Sequence, residues 1–520
     1  METKRKIIWI DDEIELLRSH ILFLNEKGYE VTSVTNGDDA IGLISKNDFD
    51  LVFLDEMMPG KDGLQTLSEI KEIKPFLPVV MITKNEEESL MEEAIGGKIA
   101  DYLTKPINPS QILIACKKII DSKKIISEQV SKEYSVKFNE INQKLIKGLN
   151  QDEWIDLYSE IVNWEMELDE HPELGLNAML HDQKKECNSE FCKFYLKNYK
   201  NWISSKTNRP TLSVDILEKY IQPKIENNEK VVFIVVDCMR LDQWMVMEKY
   251  LSNYFNIKKD FYFSILPTAT PYARNAIFSG LYPLEISEKY PEFWIPENDE
   301  MESSLNKFEK ELLEKYFERK RCKINGEMKY YKIIDAEYGK NLLRNSHSIQ
   351  NNQMTSIVIN FVDMLAHHRS DSALLKEIAP DEPAYRSLTN SWFKHSMLYE
   401  LLQNLSSKNL KIVITTDHGS IKCNRGTKVL AEKEASKNLR YKFGRNLKVD
   451  EKQSFYIRNP KEFNLPQYSV TTNFAIALED YFYIYPNDYH KFLSLYKDSF
   501  QHGGISLEEV IVPIIELQGK

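Results

Sequence analysis

Apolar residues in the first 120 positions alternate between short continuous runs and segments with helical spacing. The runs Lys6–Ile10, Phe49–Leu54 and Leu77–Ile82 are rich in Ile, Val, Leu and Phe, as in strands covered on both faces. Between them, Glu13–Glu26 and Gly63–Ile73 place apolar residues at the spacing of an amphipathic helix. The pattern predicts a doubly wound α/β domain with a parallel sheet.

Residues 121–205 change to charged segments with apolar stripes. Apolar residues recur there at helical spacing, as at Trp154, Tyr158 and Ile161. The stripes predict a small helical bundle that connects the first domain to a third. The polar stretch Lys206–Pro210 marks the next boundary. We therefore expect three domains, at residues 1–122, 123–205 and 206–520.

The third domain contains three strand-like runs that each end at an aspartate. They are Val231–Val236 before Asp237, Ser356–Val362 before Asp363, and Lys411–Thr416 before Asp417. The carboxyl ends of parallel strands meet at one edge of a sheet, where ligands bind. Histidines accompany the aspartates at His367, His418 and His502. Each aspartate alone could cap a helix, but carboxylates and imidazoles together suit zinc in a site with one open position.

A threonine stands at the predicted start of a helix in the same domain. Thr270 precedes Pro271, which suits a first helical turn because its missing N–H costs nothing there. A helix N-terminus favours an anion, and a metal or a base could activate the hydroxyl as a nucleophile. Taken alone, a Thr-Pro helix start is usually a cap, so this interpretation depends on the metal ligands.

The order of these residues resembles the alkaline phosphatase superfamily, most closely its nucleotide phosphodiesterase and PglZ-type branches. The segment Pro267–Pro283, with Thr270 in Pro-Thr-Ala-Thr-Pro and with Ser-Gly-Leu-Tyr-Pro after it, matches that superfamily's nucleophile segment. The resemblance implies Thr270 as nucleophile and two zinc ions. One zinc would be held by Asp237, Thr270, Asp417 and His418, and the other by Asp363, His367 and His502.

One position departs from the phosphodiesterases. They carry an asparagine that helps to hold the phosphate, near the place where Pro291 stands in this chain. Arg274 or Asn275 is the candidate substitute, although either could equally be a helix-surface residue. The insertion at 285–350 is expected to form either a lid over the metals or a peripheral helical decoration.

Acidic residues also collect at strand ends of the first domain. Asp11 and Asp12 follow the first run, and Asp55 follows the second. Carboxylates that meet at one edge repel one another unless a hard cation lies among them, and Mg²⁺ prefers such oxygen ligands. A hydroxyl at Thr83 and an ammonium group at Lys105 end two further strand-like segments.

This domain resembles, over its whole length, the receiver domain of two-component response regulators, which has a flavodoxin-like fold. The resemblance implies phosphorylation at Asp55, with Thr83 and Lys105 contacting the phosphoryl oxygens and Tyr102 as the switch aromatic. Mg²⁺ would be held by Asp12, Asp55 and the backbone carbonyl of Met57, with Asp11 acting through water. The fold class is therefore α/β: a flavodoxin-like receiver, a helical-bundle middle domain and an alkaline-phosphatase-like α/β domain.

Composition limits the classes of ligand and the cellular compartment that fit this protein. A net charge of −11 over 520 residues argues against a general nucleic-acid binder. Six scattered cysteines fit a reducing compartment. No secretory signal and no apolar run of the roughly 20 residues needed to span a membrane is evident, so we expect a cytoplasmic protein.

One segment is an exception to the acidic balance. From Ser420 to Lys452 there are ten lysines and arginines against four acids, a local charge of +6. Tyr441 and Phe443 lie between the basic residues, and aromatic faces can stack bases. The segment is either a solvated loop or a surface that draws an oligonucleotide to the site.

The sequence thus predicts a response regulator whose phosphorylation at Asp55 controls a zinc-dependent phosphodiesterase or phosphatase. The domain combination resembles a family of regulators linked to type IX secretion. That resemblance implies a sensor histidine kinase, a sigma factor as downstream partner, and homodimerisation on phosphorylation through a face that includes Lys84–Ile120. An alternative is a signalling scaffold with structural zinc. A DNA-binding transcription factor is disfavoured because no helix-turn-helix tail follows the receiver.

Overall fold

Continuous apolar runs become the central strands of two separate sheets. The computed structural model describes residues 5–75, 77–84, 99–295, 306–371, 377–432 and 436–520, without the side chains of 122–124, 336 and 367–371. Contacts group the chain into two compact units, Met1–Ser135 and Val136–Lys520. Among the described residues, no helix combines the length and the apolar character that a membrane span requires.

A parallel sheet with strand order β2-β1-β3-β4-β5 forms the centre of the first unit. Its strands are β1 (Arg5–Ile10), β2 (Tyr29–Val34), β3 (Leu51–Asp55), β4 (Val79–Thr83) and β5 (Asp101–Thr104). Its described helices are α1 (Arg18–Glu26), α2 (Gly37–Ile44), α3 (Gly63–Ile73) and α4 (Pro109–Cys116). Alternate residues of β1 enter different cores: Ile7 and Trp9 pack on one face and Ile8 and Ile10 on the other. The strand order is that of the flavodoxin-like fold, which confirms the predicted class.

Three long helices follow, namely α5 (Ser122–Lys147), α6 (Gln151–Asp169) and α7 (Asn177–Ser204). Asn150 caps α6 because its side chain accepts hydrogen bonds from the backbone N–H groups of Asp152 and Glu153. Aromatic side chains join α6 to α7, with the rings of Trp154 and Phe191 5.3 Å apart. These helices confirm the predicted helical middle region.

The sheet of the second unit has the order β7-β19-β10-β6-β9-β8. Its strands are β6 (Val231–Val236), β7 (Phe255–Phe263), β8 (Met328–Ile333), β9 (Met354–Ile359), β10 (Lys411–Thr415) and β19 (Ile511–Gly519). Strands β8, β9, β6 and β10 run parallel to one another. At one edge, β19 runs antiparallel to β10, and β7 runs antiparallel to β19. The carboxyl ends of β6 and β10 are therefore neighbours.

The described residues of the second unit also form helices and three small sheets. The helices are α8 (Gln222–Glu226), α9 (Leu241–Leu251), α10 (Thr270–Ser279), α11 (Pro283–Lys289), α12 (Glu309–Lys320), α13 (Ala336–Arg344), α14 (Ser346–Ile349), α15 (Phe361–Asp371), α16 (Glu382–Lys394), α17 (Met397–Ser406), α18 (Tyr489–Tyr496) and α19 (Leu507–Val510). The small sheets contain β11 (Ile421–Cys423), β12 (Arg425–Leu430), β13 (Tyr441–Arg445), β14 (Lys448–Val449), β15 (Ser454–Ile457), β16 (Thr472–Ala477), β17 (Tyr481–Ile484) and β18 (Ser499–Gln501). Single 3₁₀ or π turns lie at Ile14–Leu17, Lys117–Asp121, Pro172–Leu174, Ser213–Asp215, Leu217–Ile221, Pro291–Phe293 and Pro460–Phe463.

Two sequence predictions need correction here. The strand before Asp363 ends at Ile359, and Asp363 lies in the first turn of α15. Phe361 leaves the strand pattern because its ring stacks on that of Trp392, with centroids 4.2 Å apart. The insertion at 285–350 is not a peripheral decoration, because β8 is the edge strand of the central sheet and its neighbour is β9.

Candidate functional site

Two neighbouring strands bring the first group of predicted ligands together. Asp237 follows β6, and Asp417 and His418 follow β10, with which β6 pairs in parallel. One ligand atom from each of these residues lies within 4.8 Å of the others, and all three residues are buried. Cys238 adopts a φ of 62°, which turns the chain after Asp237, and its N–H points to Asp417 Oδ1 at 3.3 Å.

Thr270 lies beside this group at the start of α10. The helix begins at Thr270 with a proline in its first turn, as the sequence predicted, and it ends at Gly280 in the left-handed conformation. Thr270 Oγ1 is 3.1 Å from His418 Nε2 and 3.4 Å from Asp237 Oδ1. The hydroxyl therefore meets both a ring nitrogen and a carboxylate at the positive end of a helix.

Hydrogen bonding and burial prepare His418 to be a ligand. Its Nδ1 is 3.1 Å from the carbonyl oxygen of Gly419, so an Nδ1–H can donate there and leave the Nε2 lone pair facing Thr270. Burial lowers the pKa of His418, which favours the neutral ring. Two carboxylates and a neutral imidazole this close together match the donor set that zinc prefers, so these residues fit the ion.

The second predicted ligand group is partly described. His502 Nε2 is 3.6 Å from Asp363 Oδ1, and the ring of His502 stacks on that of His418 with centroids 4.3 Å apart. The side chain of His367 lies outside the described residues, although its backbone belongs to α15 with Asp363. The two ligand groups are thus adjacent, with two histidine rings in contact.

Arg274 places a positive charge beside the carboxylates of Asp237 and Asp417. Its guanidinium is fully buried, forms an ion pair with Asp237, and donates from Nε to Asp417 Oδ2 at 3.0 Å. It therefore does not substitute for the phosphate-binding asparagine. Asn275 is buried and its amide donates to the carbonyl oxygen of Pro271 at 2.9 Å, and its role toward the phosphate stays a prediction.

Glu309, from the insertion at 285–350, is a third acid that pairs with Arg274. Glu309, at the start of α12, lies 3.3 Å from an Arg274 terminal nitrogen and also pairs with Lys332 at 3.3 Å. Tyr330 on the edge strand β8 donates to the same carboxylate. Nothing in the sequence around Glu309 indicates that it contacts Arg274, so sequence analysis missed this residue.

Burial affects the protonation of Asp237. It raises the pKa of Asp237 to about 7, with Asp417 adding to the rise and Arg274 opposing it. A proton therefore competes with a metal ion for Asp237 near neutral pH.

The receiver acids also meet. Oxygens of Asp11, Asp12 and Asp55 lie within 4.8 Å of one another at the carboxyl ends of β1 and β3. Lys105 Nζ is 3.0 Å from both Asp11 Oδ2 and Asp55 Oδ2. Burial raises the pKa of Asp55, while the hydrogen bond from Lys105 opposes that rise. Three acids and one lysine leave an excess of negative charge that fits Mg²⁺.

The remaining receiver residues flank this cluster. Thr83 ends β4 and is buried, whereas Tyr102 on the neighbouring strand β5 has 41% of its surface exposed. Met57 lies two residues after Asp55, with an exposed side chain. Part of the expected dimer face, residues 85–98, lies outside the described residues.

The basic segment is largely used within the fold. Arg440 is buried and makes two hydrogen bonds to Glu509, and Lys442 is buried and donates to the carbonyl oxygen of Ser436 at 2.7 Å. The neighbouring aromatic side chains, Tyr441 and Phe443, are buried as well. The prediction that bases stack on these two rings is therefore wrong. Among the described residues of the segment, the exposed basic ones are Lys428, Lys437, Arg445, Lys448 and Lys452, while Lys433 lies outside the described residues.

Fold and site together define a response regulator with an alkaline-phosphatase-like output domain. The response regulator receiver family model matches residues 7–117, and the PorX response regulator linker domain matches residues 124–203. The chain belongs to the family described as the BREX system PglZ alkaline phosphatase-like domain, which matches residues 216–517, more than half of the chain. The three matches together confirm a PorX-like architecture.

Individual relatives share a smaller part of the chain. The transcriptional regulatory protein ResD of Bacillus subtilis is 32% identical over 115 residues, 22% of this chain and 48% of that protein. AlgB of Pseudomonas syringae, an alginate biosynthesis transcriptional regulatory protein, is 31% identical over 124 residues, 24% of this chain and 28% of that protein. The chain thus spans less than half the length of these curated relatives.

Two solved structures are each similar to part of the chain. A two-component response regulator from Clostridium difficile is 30% identical, covers 23% of this chain and 97% of its own, and has a TM-score of 0.22. A CheY-like receiver from Methanospirillum hungatei is 23% identical, covers 23% of this chain and 96% of its own, and has a TM-score of 0.23. A receiver domain implies a phosphodonor such as a histidine kinase, and alkaline-phosphatase-like domains usually bind metal ions.

Proposed function

We propose that phosphorylation of Asp55 controls a zinc-dependent phosphodiesterase or phosphatase in residues 206–520, which residues 123–205 link to a receiver at 1–122. The observation that carries the proposal is the position of Thr270 Oγ1, 3.1 Å from His418 Nε2 and 3.4 Å from Asp237 Oδ1. A cap residue in an inert fold has no need of two ligand-type groups around its hydroxyl.

Two zinc ions fit the donor groups. Asp237, Thr270, Asp417 and His418 would hold one ion, and Asp363, His367 and His502 the other. When bound, zinc lowers the pKa of a hydroxyl and stabilises negative charge on phosphate oxygens. The stacked rings of His418 and His502 keep the two donor groups adjacent.

The chain's own groups perform the remaining tasks. Thr270 Oγ attacks phosphorus in line with the leaving oxygen and gives its proton to solvent water. A P–O bond forms to the threonine while the bond to the leaving group breaks, and the leaving oxygen takes a proton from water. A water molecule then attacks the phosphothreonine, which releases the phosphate product and restores the hydroxyl. The N-terminus of α10 favours the negative charge of the phosphate that lies against it. Arg274 turns one oxygen of Asp237 and one of Asp417 away from Thr270, which leaves Asp237 Oδ1 facing the nucleophile.

The receiver supplies the control. Mg²⁺ held by Asp12, Asp55 and the carbonyl of Met57, with Asp11 acting through water, would offset the charge of an incoming phosphoryl group. Lys105 already touches Asp55, and Thr83 and Tyr102 on neighbouring strands would sense the modification. Resemblance to PorX-type regulators supports a sensor histidine kinase, a sigma factor partner, a homodimer on phosphorylation, a link to type IX secretion and a cytoplasmic site of action.

Oligonucleotide phosphodiesters are the proposed substrate. With Arg440 and Lys442 committed to the fold, a polyanion would meet the exposed residues Lys428, Arg445 and Lys448, of which Lys428 and Lys448 lie on the paired strands β12 and β14. Attraction of this kind weakens as salt screens it. Changing these three residues to alanine should lower kcat/KM for an oligonucleotide and not for a small chromogenic diester. Equal losses for both substrates would remove the preference and leave the hydrolase standing.

The deciding experiment combines metal analysis with hydrolysis. Purified protein from zinc-replete expression should contain zinc and hydrolyse a chromogenic phosphodiester or phosphomonoester, and Asp363→Ala or His502→Ala should lower both quantities together. Protein that binds zinc but turns over neither class of ester nor an oligonucleotide would instead support a signalling scaffold with structural zinc and a protein-binding output.

A further inference from the structure

One face of helix α7 contacts a segment close to His502. Lys184, Asn188 and Cys192 are spaced four residues apart, so they lie on the same face of the helix. Lys184 Nζ is 2.9 Å from Glu508 Oε1, and Cys192 Sγ donates to the carbonyl oxygen of Ile505 at 3.2 Å. A helix of the linker region therefore holds the turn that follows His502.

Asn188 makes the most specific of these contacts. Its side chain is buried, donates to Glu508 Oε2 at 3.0 Å, and accepts the backbone N–H of Leu507 at 2.7 Å. A side-chain amide with both ends engaged fixes the position of the backbone that it touches. Lys184 balances the charge of Glu508 while also pairing with Glu165 at 2.8 Å.

The same face continues to the segment that precedes Thr270. Tyr195 Oη donates to the carbonyl oxygen of Ser264 at 3.2 Å, and Tyr199 Oη accepts the N–H of Leu266 at 2.9 Å. Both tyrosines are buried. Helix α7 thus contacts the backbone of two segments that lead to proposed site residues.

The turn beside Asn188 touches the other site loops directly. The N–H of Gly419, next to His418, donates to the carbonyl oxygen of Glu509 at 3.2 Å, and a Cβ at Gly419 would lie 1.9 Å from the carbonyl oxygen of Glu508. Glu509 Oε1 accepts the N–H of Gly504 at 2.8 Å. Thr268 donates to the carbonyl oxygen of Gly504 at 2.7 Å. Segment 504–509 therefore joins the loops that carry His418, His502 and Thr270.

We infer that Asn188 is a positioning residue for the hydrolytic site, acting through segment 504–509. The inference rests on the proposed hydrolase function. Asn188 does not touch substrate, but its two hydrogen bonds set the place of a turn on which three site loops depend. Groups that orient the residues around a metal site typically contribute about 10- to 100-fold to activity or metal affinity.

The contact can be broken and rebuilt in the full-length, zinc-loaded protein. Asn188→Asp keeps the acceptor for Leu507 but places a carboxylate against Glu508. Adding Glu508→Gln restores a donor–acceptor pair with the roles exchanged. Asn198→Ala is the matched control, because the amide of Asn198 is on the same helix and, among the described residues, donates to the carbonyl oxygen of Phe194 within that helix at 2.8 Å.

The readouts separate positioning from general stability. We expect Asn188→Asp to lower kcat for a chromogenic ester about 10- to 100-fold with little change in KM, and the double variant to recover most of that loss. Hydrogen–deuterium exchange should accelerate in residues 264–270 and 502–506 of Asn188→Asp, and not in the control. If Asn188→Asp does not fold, Cys192→Ala removes a weaker contact of the same face and takes its place with the same readouts.

Two results would overturn the inference. One is wild-type kcat in Asn188→Asp, and the other is a loss that Glu508→Gln does not repair while exchange in both segments stays unchanged. A wild-type protein that hydrolyses nothing would refute the proposed function instead, and the exchange rates would then decide whether Asn188 holds these segments.

Discussion

Arg274 offers a way to test whether Asp237 and Asp417 are metal ligands by measuring stability. The guanidinium is fully buried against Asp237, Asp417 and Glu309. Arg274→Met keeps much of the side chain's volume and removes its charge. Because three buried carboxylates lose a partner, we expect the metal-free protein to lose about 3–5 kcal/mol of unfolding free energy.

Zinc should reduce that loss. An ion at Asp237 and Asp417 restores positive charge to two of the three acids. By linkage, the reduction equals the gain in zinc-binding free energy that follows when the guanidinium, whose positive charge competes with the ion, is removed. Each tenfold gain in affinity lowers the loss by about 1.4 kcal/mol. The destabilisation in saturating zinc should therefore be smaller than that in a chelator.

Urea unfolding followed by tryptophan fluorescence is the suitable assay, because six of the seven tryptophans lie between residues 136 and 520. Arg386→Met is the control. Arg386 is also buried, and it pairs with Asp242 at 3.0 Å and with Asp169 at 2.6 Å, neither of which is a proposed ligand. Its loss of stability should be the same with and without zinc. Equal losses for Arg274→Met in zinc and in chelator would mean that Asp237 and Asp417 do not bind the ion.

Three further predictions concern the nucleophile, the ligand proton and the receiver. Thr270→Ala should lower kcat by several orders of magnitude while zinc content stays near that of the wild type, and turnover at the wild-type rate would assign the attack to water. Because the pKa of Asp237 is raised to about 7, its proton stabilises the metal-free fold at low pH, and this stabilisation is lost as the pH rises to 7. Zinc must displace that proton, so calorimetry should detect more proton release on zinc binding at pH 6 than at pH 8. Identical proton release at the two pH values would contradict this prediction. Beryllium fluoride should convert monomer to dimer and change the hydrolysis rate in the wild type but not in Asp55→Asn, because a modification shifts an equilibrium only by stabilising one state more than the other. An unchanged mass in solution and an unchanged hydrolysis rate in the wild type would count against control through Asp55.

Local pattern was enough to predict the α/β fold of the first domain, and the resemblance to receiver domains supplied its identity. Helix α3 has the expected bounds, Gly63–Ile73, because its apolar residues recur at helical spacing and Asp62 caps its start. Asp11 and Asp55 could be placed together because each lies at the carboxyl end of a central parallel strand. In such a fold the order of strands and acids in sequence determines which side chains meet.

Tertiary packing decided the points on which the sequence was misleading. Phe361 and Val362 are β-prone, yet they begin a helix because the ring of Phe361 packs on Trp392. Arg274 and Arg440 look like surface charges on paper, yet both are buried against acids that lie far away in sequence. Periodicity reports which face of an element is apolar, but it does not report which charges are neutralised inside the fold.

The boundary near residue 205 separates two sequence families but not two compact units. The linker match ends at residue 203 and the PglZ match begins at 216, whereas contacts place Val136–Lys520 in one compact unit. The reason is visible in α7, where Phe191 packs against Phe263 of the central sheet with centroids 6.0 Å apart, and Asn188 binds a turn 319 residues further along the chain. Without these helices, the segments before Thr270 and after His502 would lose both an apolar cover and their backbone partners. The linker is therefore better understood as a wall of the proposed hydrolytic site than as a spacer in front of it.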